Sequence, residues 1–148
     1  MKILFFYPKF IKYIENHSNL LKKIIGEQPE TLAEGKKFNA TPALAIPILA
    51  AITPPSHTFK FINDNIEEID YDTDADIVAL SFFTPQATRA YEICEQFRER
   101  KKVVVVGGMH PSICPEEASR HADIVCIGEG ENGWIEILQD VERGSYKP

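Results

Sequence analysis

Long apolar runs and amphipathic stretches take turns along this chain, and their order predicts the fold. Four of the runs are unbroken, whereas a fifth, at 57–62, alternates between apolar and polar residues. Strands that are buried on both faces read as continuous apolar runs, so this pattern indicates a parallel sheet with helices on both sides. The predicted strands are residues 2–7, 57–62, 77–83, 103–106 and 124–127.

Segments with helical spacing of apolar residues connect these strands. A nearly all-apolar helix is predicted after Thr41-Pro42, and Pro47 within it favours a start later than Thr41. Residues 9–40 are lysine-rich and predict one short helix, ended by Gly26, followed by a polar loop. The other predicted helices are residues 85–100, 115–121 and 134–143, the last ended by Gly144.

The order of these elements is that of a doubly wound α/β domain. We therefore predict a Rossmann-like, flavodoxin-like five-stranded parallel sheet in the order 2-1-3-4-5. A length of 148 residues fits one domain. Residues 1–148 are accordingly assigned to a single domain, with the segment at about 9–40 as a helical or loop insertion.

Composition and charge narrow the range of partners. An apolar fraction of 44% is enough for a real core. The net charge of −6 argues against a nucleic-acid partner, because phosphate binding needs a basic surface. The first apolar run ends at Pro8, which is too short for a signal peptide or a membrane span, so no membrane partner is predicted.

The cysteines indicate the compartment. Cys94, Cys114 and Cys126 are odd in number and have no CxxC spacing, which favours free thiols in a reducing cytoplasm over disulfides. His110 and His121 lie near them in the sequence, but no pair has a standard spacing of zinc ligands. No metal site is therefore predicted.

Glycines and small polar residues follow three of the predicted strands at their carboxyl ends. They occupy 81–86, 107–111 and 128–131. In doubly wound sheets, ligands bind outside the carboxyl ends of the strands, and glycine allows a ligand to approach the backbone closely. A ligand site at this edge is the favoured interpretation. Glycines that only form tight turns are the alternative.

These strand ends lack the motifs of three common classes of protein with such sheets. A response-regulator receiver would have acidic residues after strand one and an aspartate after strand three, where this chain has Pro8 and Thr84. Residues 8–40 lack the Ser/Thr/Gly phosphate loop of a flavodoxin, and no GxGxxG follows strand one. A small nucleotide-binding enzyme of flavodoxin-like fold is kept only as a third hypothesis.

Three longer segments together resemble a known family. They are LSFFTPQATRAYEI, VVVVGGMHPSICPEEASRHAD and IGEGENGW…DVERG, and in this order they are similar to the N-terminal B12-binding domain of B12-dependent radical SAM proteins. Within them, Ser81-Phe82-Phe83 and Gly107-Gly108 look like the SxL and GG pair of cobalamin-binding domains. The resemblance runs from about Pro42 to the C-terminus and implies cobalamin as the cofactor.

The resemblance also implies where the cofactor would lie and what would hold it. The corrin would lie across the carboxyl edge of the sheet, with the nucleotide tail between the strand ends. Ser81 and Thr84 would hydrogen-bond the tail, and Gly107 and Gly108 would allow close approach. The predicted cofactor-binding residues are Ser81, Thr84, Gln86, Gly107, Gly108, His110, Gly128, Glu129 and Gly130.

Two members of this set also have a structural interpretation. His110 would either line the rim of the site or stabilise its own loop beside Pro111. Glu129 would either line the rim or, together with Glu131, interact with the N-terminal end of the last helix, where carboxylates are favoured.

Family motifs that are missing define the expected division of labour. No DxHxxG motif is present, because His17 in ENHSNL has no aspartate two residues before it, so the resemblance implies a cobalt without a histidine ligand from this loop. The CxxxCxxC motif is also missing. S-adenosylmethionine and a [4Fe–4S] cluster would therefore belong to a downstream radical SAM domain, which is absent here and would be the partner.

Two main hypotheses follow from the sequence. The first is a cobalamin-binding accessory domain of a radical SAM enzyme, such as a methyltransferase, with no catalytic residue of its own. The second is a cofactor-free Rossmann-like interaction module that packs on the radical SAM barrel. Retention of cobalamin by the purified chain would discriminate between them.

Overall fold

A computed structural model describes residues 1–9 and 44–146 of the chain. The predicted short helix and polar loop before Pro42, the Thr41-Pro42 cap and His17 lie outside the described residues. Five strands form one sheet in the order β2-β1-β3-β4-β5, and every neighbouring pair is parallel. The predicted fold class and strand order are therefore confirmed. The strands are β1 (Lys2–Tyr7), β2 (Thr58–Asn63), β3 (Ile77–Ser81), β4 (Val103–Gly107) and β5 (Ile124–Val125).

The helices connect the strands largely as predicted, but some begin elsewhere. The first described helix begins at Ala45, so Pro47 lies in its first turn, where no intrahelical bond needs the missing N–H. The last helix begins at Gly130 rather than at Trp134, and Gly144 ends it in the left-handed conformation. The helices are α1 (Ala45–Ile52), α2 (Ala87–Glu99), α3 (Met109–Ile113), α4 (Pro115–Ala118) and α5 (Gly130–Arg143).

The sheet separates two apolar clusters. On one face, Phe6, Val78 and Val104 pack with α2 through residues such as Ile93 and Phe97. On the opposite face, alternate residues of the same strands pack against α1 and α5; this second cluster includes Phe5, Ala79, Val105, Ile46 and Trp134. Both faces are covered, which is why the strand sequences are continuously apolar. No helix among the described residues is long and apolar enough to cross a membrane.

Candidate functional site

A cavity of about 460 Å³ opens at the carboxyl edge of the sheet, on the face that carries α1 and α5. Its size is within the usual range of about 300–1,000 Å³ for small-molecule sites. The space exists because small residues occupy this face of β3 and β4. Ala79 lies beside Val105, and Ser81 lies beside Gly107, in the register of the two strands.

Five strand and helix residues form the apolar wall of this cavity. Phe5, Ala79 and Val105 come from the sheet, Leu49 from α1 and Trp134 from α5. Trp134 is 2% exposed, and its indole Nε1 donates a hydrogen bond of 2.9 Å to the Thr53 hydroxyl. The indole ring is therefore held in place, and it also packs against Phe5 at 5.4 Å between ring centroids.

Ser81 contributes a nearly buried residue with a hydroxyl group to the lining of the cavity. The residue is 6% exposed and lines the cavity. Within residues 1–9 and 44–146, its hydroxyl has no hydrogen-bond partner. No fully enclosed side-chain oxygen or nitrogen of the described residues lacks a partner, so the Ser81 oxygen is not fully enclosed. A nearly buried hydroxyl that opens into a cavity is a ready partner for a ligand.

Gly108 has a structural requirement of its own. Its backbone adopts φ 93° and ψ −168°, a region that is essentially restricted to glycine. A Cβ at this position would lie 2.8 Å from the Ser81 hydroxyl and 2.9 Å from the Phe82 nitrogen. Gly108 does line the cavity. However, the close approach of Ser81 and Phe82 already requires a residue without a side chain at this position. A Cβ at Gly107, by contrast, would make only an ordinary contact, 3.5 Å from Cys126 Cβ.

Ser112, which the sequence analysis did not single out, connects the two glycine-containing loops. Its hydroxyl donates a hydrogen bond of 2.8 Å to the Gly108 carbonyl oxygen and accepts one of 2.9 Å from the Gly128 N–H. Gly128, Glu129 and Gly130 line the cavity beside Ser112. The loop after β5 is thus fixed relative to the loop after β4, and the two loops form one side of the mouth.

We predict that Ser112→Ala lowers the free energy of unfolding by about 1 kcal/mol, because two hydrogen bonds are lost. Amide exchange at Gly128 should also become faster, whereas amides inside β4 should be unaffected. Urea denaturation and hydrogen exchange would measure both effects. Ser119→Ala is the matched control, because the exposed Ser119 hydroxyl makes a single local bond to the Glu116 carbonyl oxygen. Unchanged exchange at Gly128 would contradict the assigned role.

Three of the predicted site residues, Thr84, Gln86 and His110, do not line the cavity. The Thr84 hydroxyl lies 3.1 Å from His110 Nδ1. Gln86 is fully buried; its side-chain oxygen accepts a hydrogen bond of 3.0 Å from the Phe83 N–H, and its amide donates to the Pro8 carbonyl oxygen. Gln86 therefore ties the ends of β1 and β3 together. The remaining predicted residues, Ser81, Gly107, Gly108, Gly128, Glu129 and Gly130, all line the cavity.

His110 is 4% exposed and belongs to a polar cluster on the α2 side of the strand ends. Its Nε2 lies 3.1 Å from the Tyr91 hydroxyl and 3.4 Å from a Glu117 carboxylate oxygen. The pKa of Tyr91 is raised, first by burial and then by the nearby Glu117 carboxylate. These contacts give His110 the loop-stabilising role that the sequence had offered as one of two interpretations.

The same cluster is the arrangement of described residues that could hold a cation. Ligand atoms of His110, Cys114 and Glu117 lie within 4.8 Å of one another. A metal ion there would have to displace Thr84 or Tyr91, since both nitrogens of the His110 ring already face these hydroxyls. The contacts of His110 within the protein therefore account for the cluster without a metal.

Cys126 also lines the cavity. It is partly buried, and its pKa is raised first by this burial and then by the Glu131 carboxylate. Cys126 consequently stays a neutral thiol at neutral pH, and a thiol is only a weak hydrogen-bonding group. The carboxylates of Glu129 and Glu131 are themselves exposed at the mouth, close to the start of α5.

The sequence carries a signal that could have placed Ala79 at the site. It is the smallest residue of the strand IVALS and stands two positions before Ser81, so it shares a face with Ser81. Leu49 and Trp134 had no comparable signal, because an apolar residue on a helix is equally typical of ordinary core packing.

Comparisons with known proteins show the family to which the sequence is similar. The family model described as "B12 binding domain" matches residues 46–138, which is more than half of the chain. The chain is 43% identical over 105 residues to the bacteriochlorophyllide d C-8(2)-methyltransferase of Chlorobaculum tepidum, with 70% of this chain and 23% of that protein covered. It is 39% identical over 72 residues to the bacteriochlorophyllide d C-12(1)-methyltransferase of the same organism, with 49% and 16% covered. The chain thus spans less than a quarter of the length of these relatives.

Proposed function

The chain belongs to the B12-binding domain family, and on that premise we propose that it holds a cobalamin at the carboxyl edge of its sheet as the accessory domain of a radical SAM methyltransferase. One observation carries the proposal: a cavity opens at this edge, and the nearly buried Ser81 hydroxyl within it has no partner among the described residues. A ligand would supply that partner. When bound, a cobalamin would supply its cobalt as a carrier of a methyl group.

The residues of the chain would bind and orient the cofactor rather than react. The apolar cavity would take the nucleotide tail, and Ser81 would hydrogen-bond it. The loops that Ser112 connects would limit the position of the corrin at the mouth. The small residues of β3 and β4 support this arrangement, because they leave room for a ligand where a packed core would have large side chains.

The parent protein's reaction is inferred from the relatives. Two of them are named as methyltransferases acting on bacteriochlorophyllide d, which supports methyl transfer as the class of reaction. We infer that S-adenosylmethionine and a [4Fe–4S] cluster would be held by a downstream radical SAM domain. The three free cysteines support a cytoplasmic location.

Exposed apolar side chains support the proposal that another domain docks on the carboxyl edge of the sheet. Met109, Ile113 and Ile127 follow β4 or β5 and are 58%, 67% and 62% exposed. Apolar residues grouped near a cavity mouth are typical of a covered surface. The same residues favour the second candidate, a cofactor-free interaction module, so the decisive measurement concerns cobalamin itself.

We expect hydroxocobalamin to stay with the 148-residue chain through desalting, as seen in the visible spectrum.

We predict that Ser81→Ala weakens cobalamin binding about tenfold and leaves the melting temperature of the free protein nearly unchanged. The reason is that the hydroxyl has no partner within the described residues to lose. Thr84→Val is the matched control: it removes the contact with His110, and so should destabilise the fold by about 1 kcal/mol without changing cobalamin affinity. Equilibrium dialysis and thermal unfolding would measure the two quantities. Destabilisation by Ser81→Ala with unchanged cobalamin affinity would contradict the binding role of Ser81, whereas a wild-type chain that retains no cobalamin would favour the cofactor-free module.

A further inference from the structure

We propose that the cavity selects the base of the cofactor's nucleotide tail, and that it prefers an apolar benzimidazole to a purine such as adenine. The inference rests on the proposed function, since it assumes that a cobamide binds with its tail in this cavity. It goes further by assigning chemical specificity to the residues of the wall.

The side chains of the wall offer few free polar groups. The indole N–H of Trp134 is occupied by Thr53. The Ser112 hydroxyl already donates to Gly108 and accepts from Gly128. Among the residues that line the cavity, Ser81 has a hydroxyl without a partner in the described part of the chain, and Cys126 adds only a weakly hydrogen-bonding thiol.

Three backbone carbonyl oxygens at the strand ends also accept hydrogen bonds within the protein. The Gly107 carbonyl oxygen accepts a hydrogen bond of 3.2 Å from the Phe82 N–H, and the Phe82 carbonyl oxygen accepts one of 3.2 Å from the His110 N–H. The Gly108 carbonyl oxygen accepts from both the N–H and the hydroxyl of Ser112. Both lone pairs of the Gly108 carbonyl oxygen are thus occupied, and the Gly107 and Phe82 carbonyl oxygens each already accept one bond.

The polar groups of the two bases differ in number. A benzimidazole that is detached from cobalt has one ring nitrogen that accepts a hydrogen bond, and the single Ser81 hydroxyl can supply it. Adenine adds an exocyclic amine and further ring nitrogens, which would be left without partners between Phe5, Leu49 and Val105. A polar group that is buried without a partner costs free energy, so adenine should bind more weakly.

The carboxylates near the cavity do not remove this mismatch. Glu129 and Glu131 are exposed and lie at the mouth, where water solvates them. The part of the apolar wall that belongs to the sheet, Ala79 with its neighbours Phe5 and Val105, is the floor of the cavity. A methyl-substituted benzimidazole would contact apolar atoms there.

The test compares three hydroxocobamides on the intact 148-residue chain: cobalamin, adeninylcobamide, and cobinamide, which has the same corrin but no nucleotide. Trp134 is the only tryptophan of the chain and lines the cavity, so its fluorescence reports on the tail. Cobinamide controls for quenching by the corrin. We expect cobalamin to bind about tenfold to a hundredfold more tightly than adeninylcobamide, and the tail-dependent change in Trp134 fluorescence to follow this order.

Each other outcome identifies what fails. Equal affinities for cobalamin and adeninylcobamide, both above that of cobinamide, would overturn base selection and leave the proposed function intact. Equal affinities for all three would show that the tail lies outside the cavity, and would overturn the inference while cobalamin binding stands. No binding of any of the three would overturn the proposed function together with the inference.

A variant adds a second, independent test. Ala79→Ser introduces a hydroxyl at the floor with little added volume. It should bring the affinities for cobalamin and adeninylcobamide closer together, because adenine gains a partner. The chemically identical change Ala51→Ser, at an exposed position of α1, should leave the ratio of affinities unchanged. If Ala79→Ser left the ratio of the affinities for cobalamin and adeninylcobamide unchanged, the floor of the cavity would not discriminate between the two bases.

Discussion

Replacing Gly108 with alanine is expected to lower the free energy of unfolding by about 3 kcal/mol, a large part of the stability of a domain of this size. Two costs act together. The backbone conformation at φ 93° and ψ −168° is strained for any residue with a Cβ, at about 1–3 kcal/mol. The new methyl group would also lie 2.9 Å from the Phe82 nitrogen and 3.0 Å from its carbonyl oxygen, neither of which can move without disturbing β3.

Gly128→Ala is the control that separates these two costs. Gly128 also has a positive φ, of 79°, but a Cβ there would meet no atom within 4 Å. The Gly128→Ala substitution should therefore lower the free energy of unfolding by only about 1 kcal/mol, through backbone strain. Chemical denaturation of both variants would give the difference. Equal losses would show that close packing against Phe82 contributes nothing, and that the conformation alone requires glycine at position 108.

Replacing Ala79 with leucine is expected to abolish measurable cobalamin binding while the chain stays folded. The added side chain would project from β3 into the cavity, between Phe5 and Val105, and occupy the space proposed for the tail. Because this space is open, the cost of overpacking should lie at the low end of its usual range, about 1 kcal/mol. Loss of the tail's contacts should weaken cobalamin at least a hundredfold, which equilibrium dialysis and Trp134 fluorescence would measure.

The matched control for this variant is Ala51→Leu, which adds the same side chain at an exposed position of α1. It should change neither cobalamin affinity nor the fluorescence response. A circular dichroism spectrum like that of the wild type would establish that Ala79→Leu is folded. If folded Ala79→Leu retained cobalamin with unchanged affinity, the tail would not occupy this cavity, and the site would have to lie elsewhere on the edge.

The sequence alone was sufficient for the architecture. Continuous apolar strands such as KILFFY and VVVV are buried on both faces, and this requires helices on each side of a parallel sheet. The same logic predicted a ligand site at the edge where the cavity opens, because parallel strands that are connected by helices all end on the same side. Ser81, Gly107 and the segment 128–130 were brought together for that reason.

Only the tertiary structure decided which residues at that edge face the cavity. Thr84, Gln86 and His110 follow strand ends too, but they face other parts of the protein, where their polar atoms have partners. The short turn after β3 directs Thr84 and Gln86 there, and the helix after β4 directs His110. The direction of a side chain in a loop depends on what packs beneath it, and no local pattern in the sequence encodes those contacts.

The tertiary structure also decided what each small residue does. Both Gly107 and Gly108 read as space for a ligand, yet Gly108 is required by the backbone of Phe82, whereas Gly107 would tolerate a Cβ. Ala79 had no predicted role beyond its place in a strand, yet it forms the floor of the cavity together with Val105. Periodicity determines the face on which a side chain lies, but whether that side chain is packed or borders a void depends on the helices placed opposite it, α1 and α5.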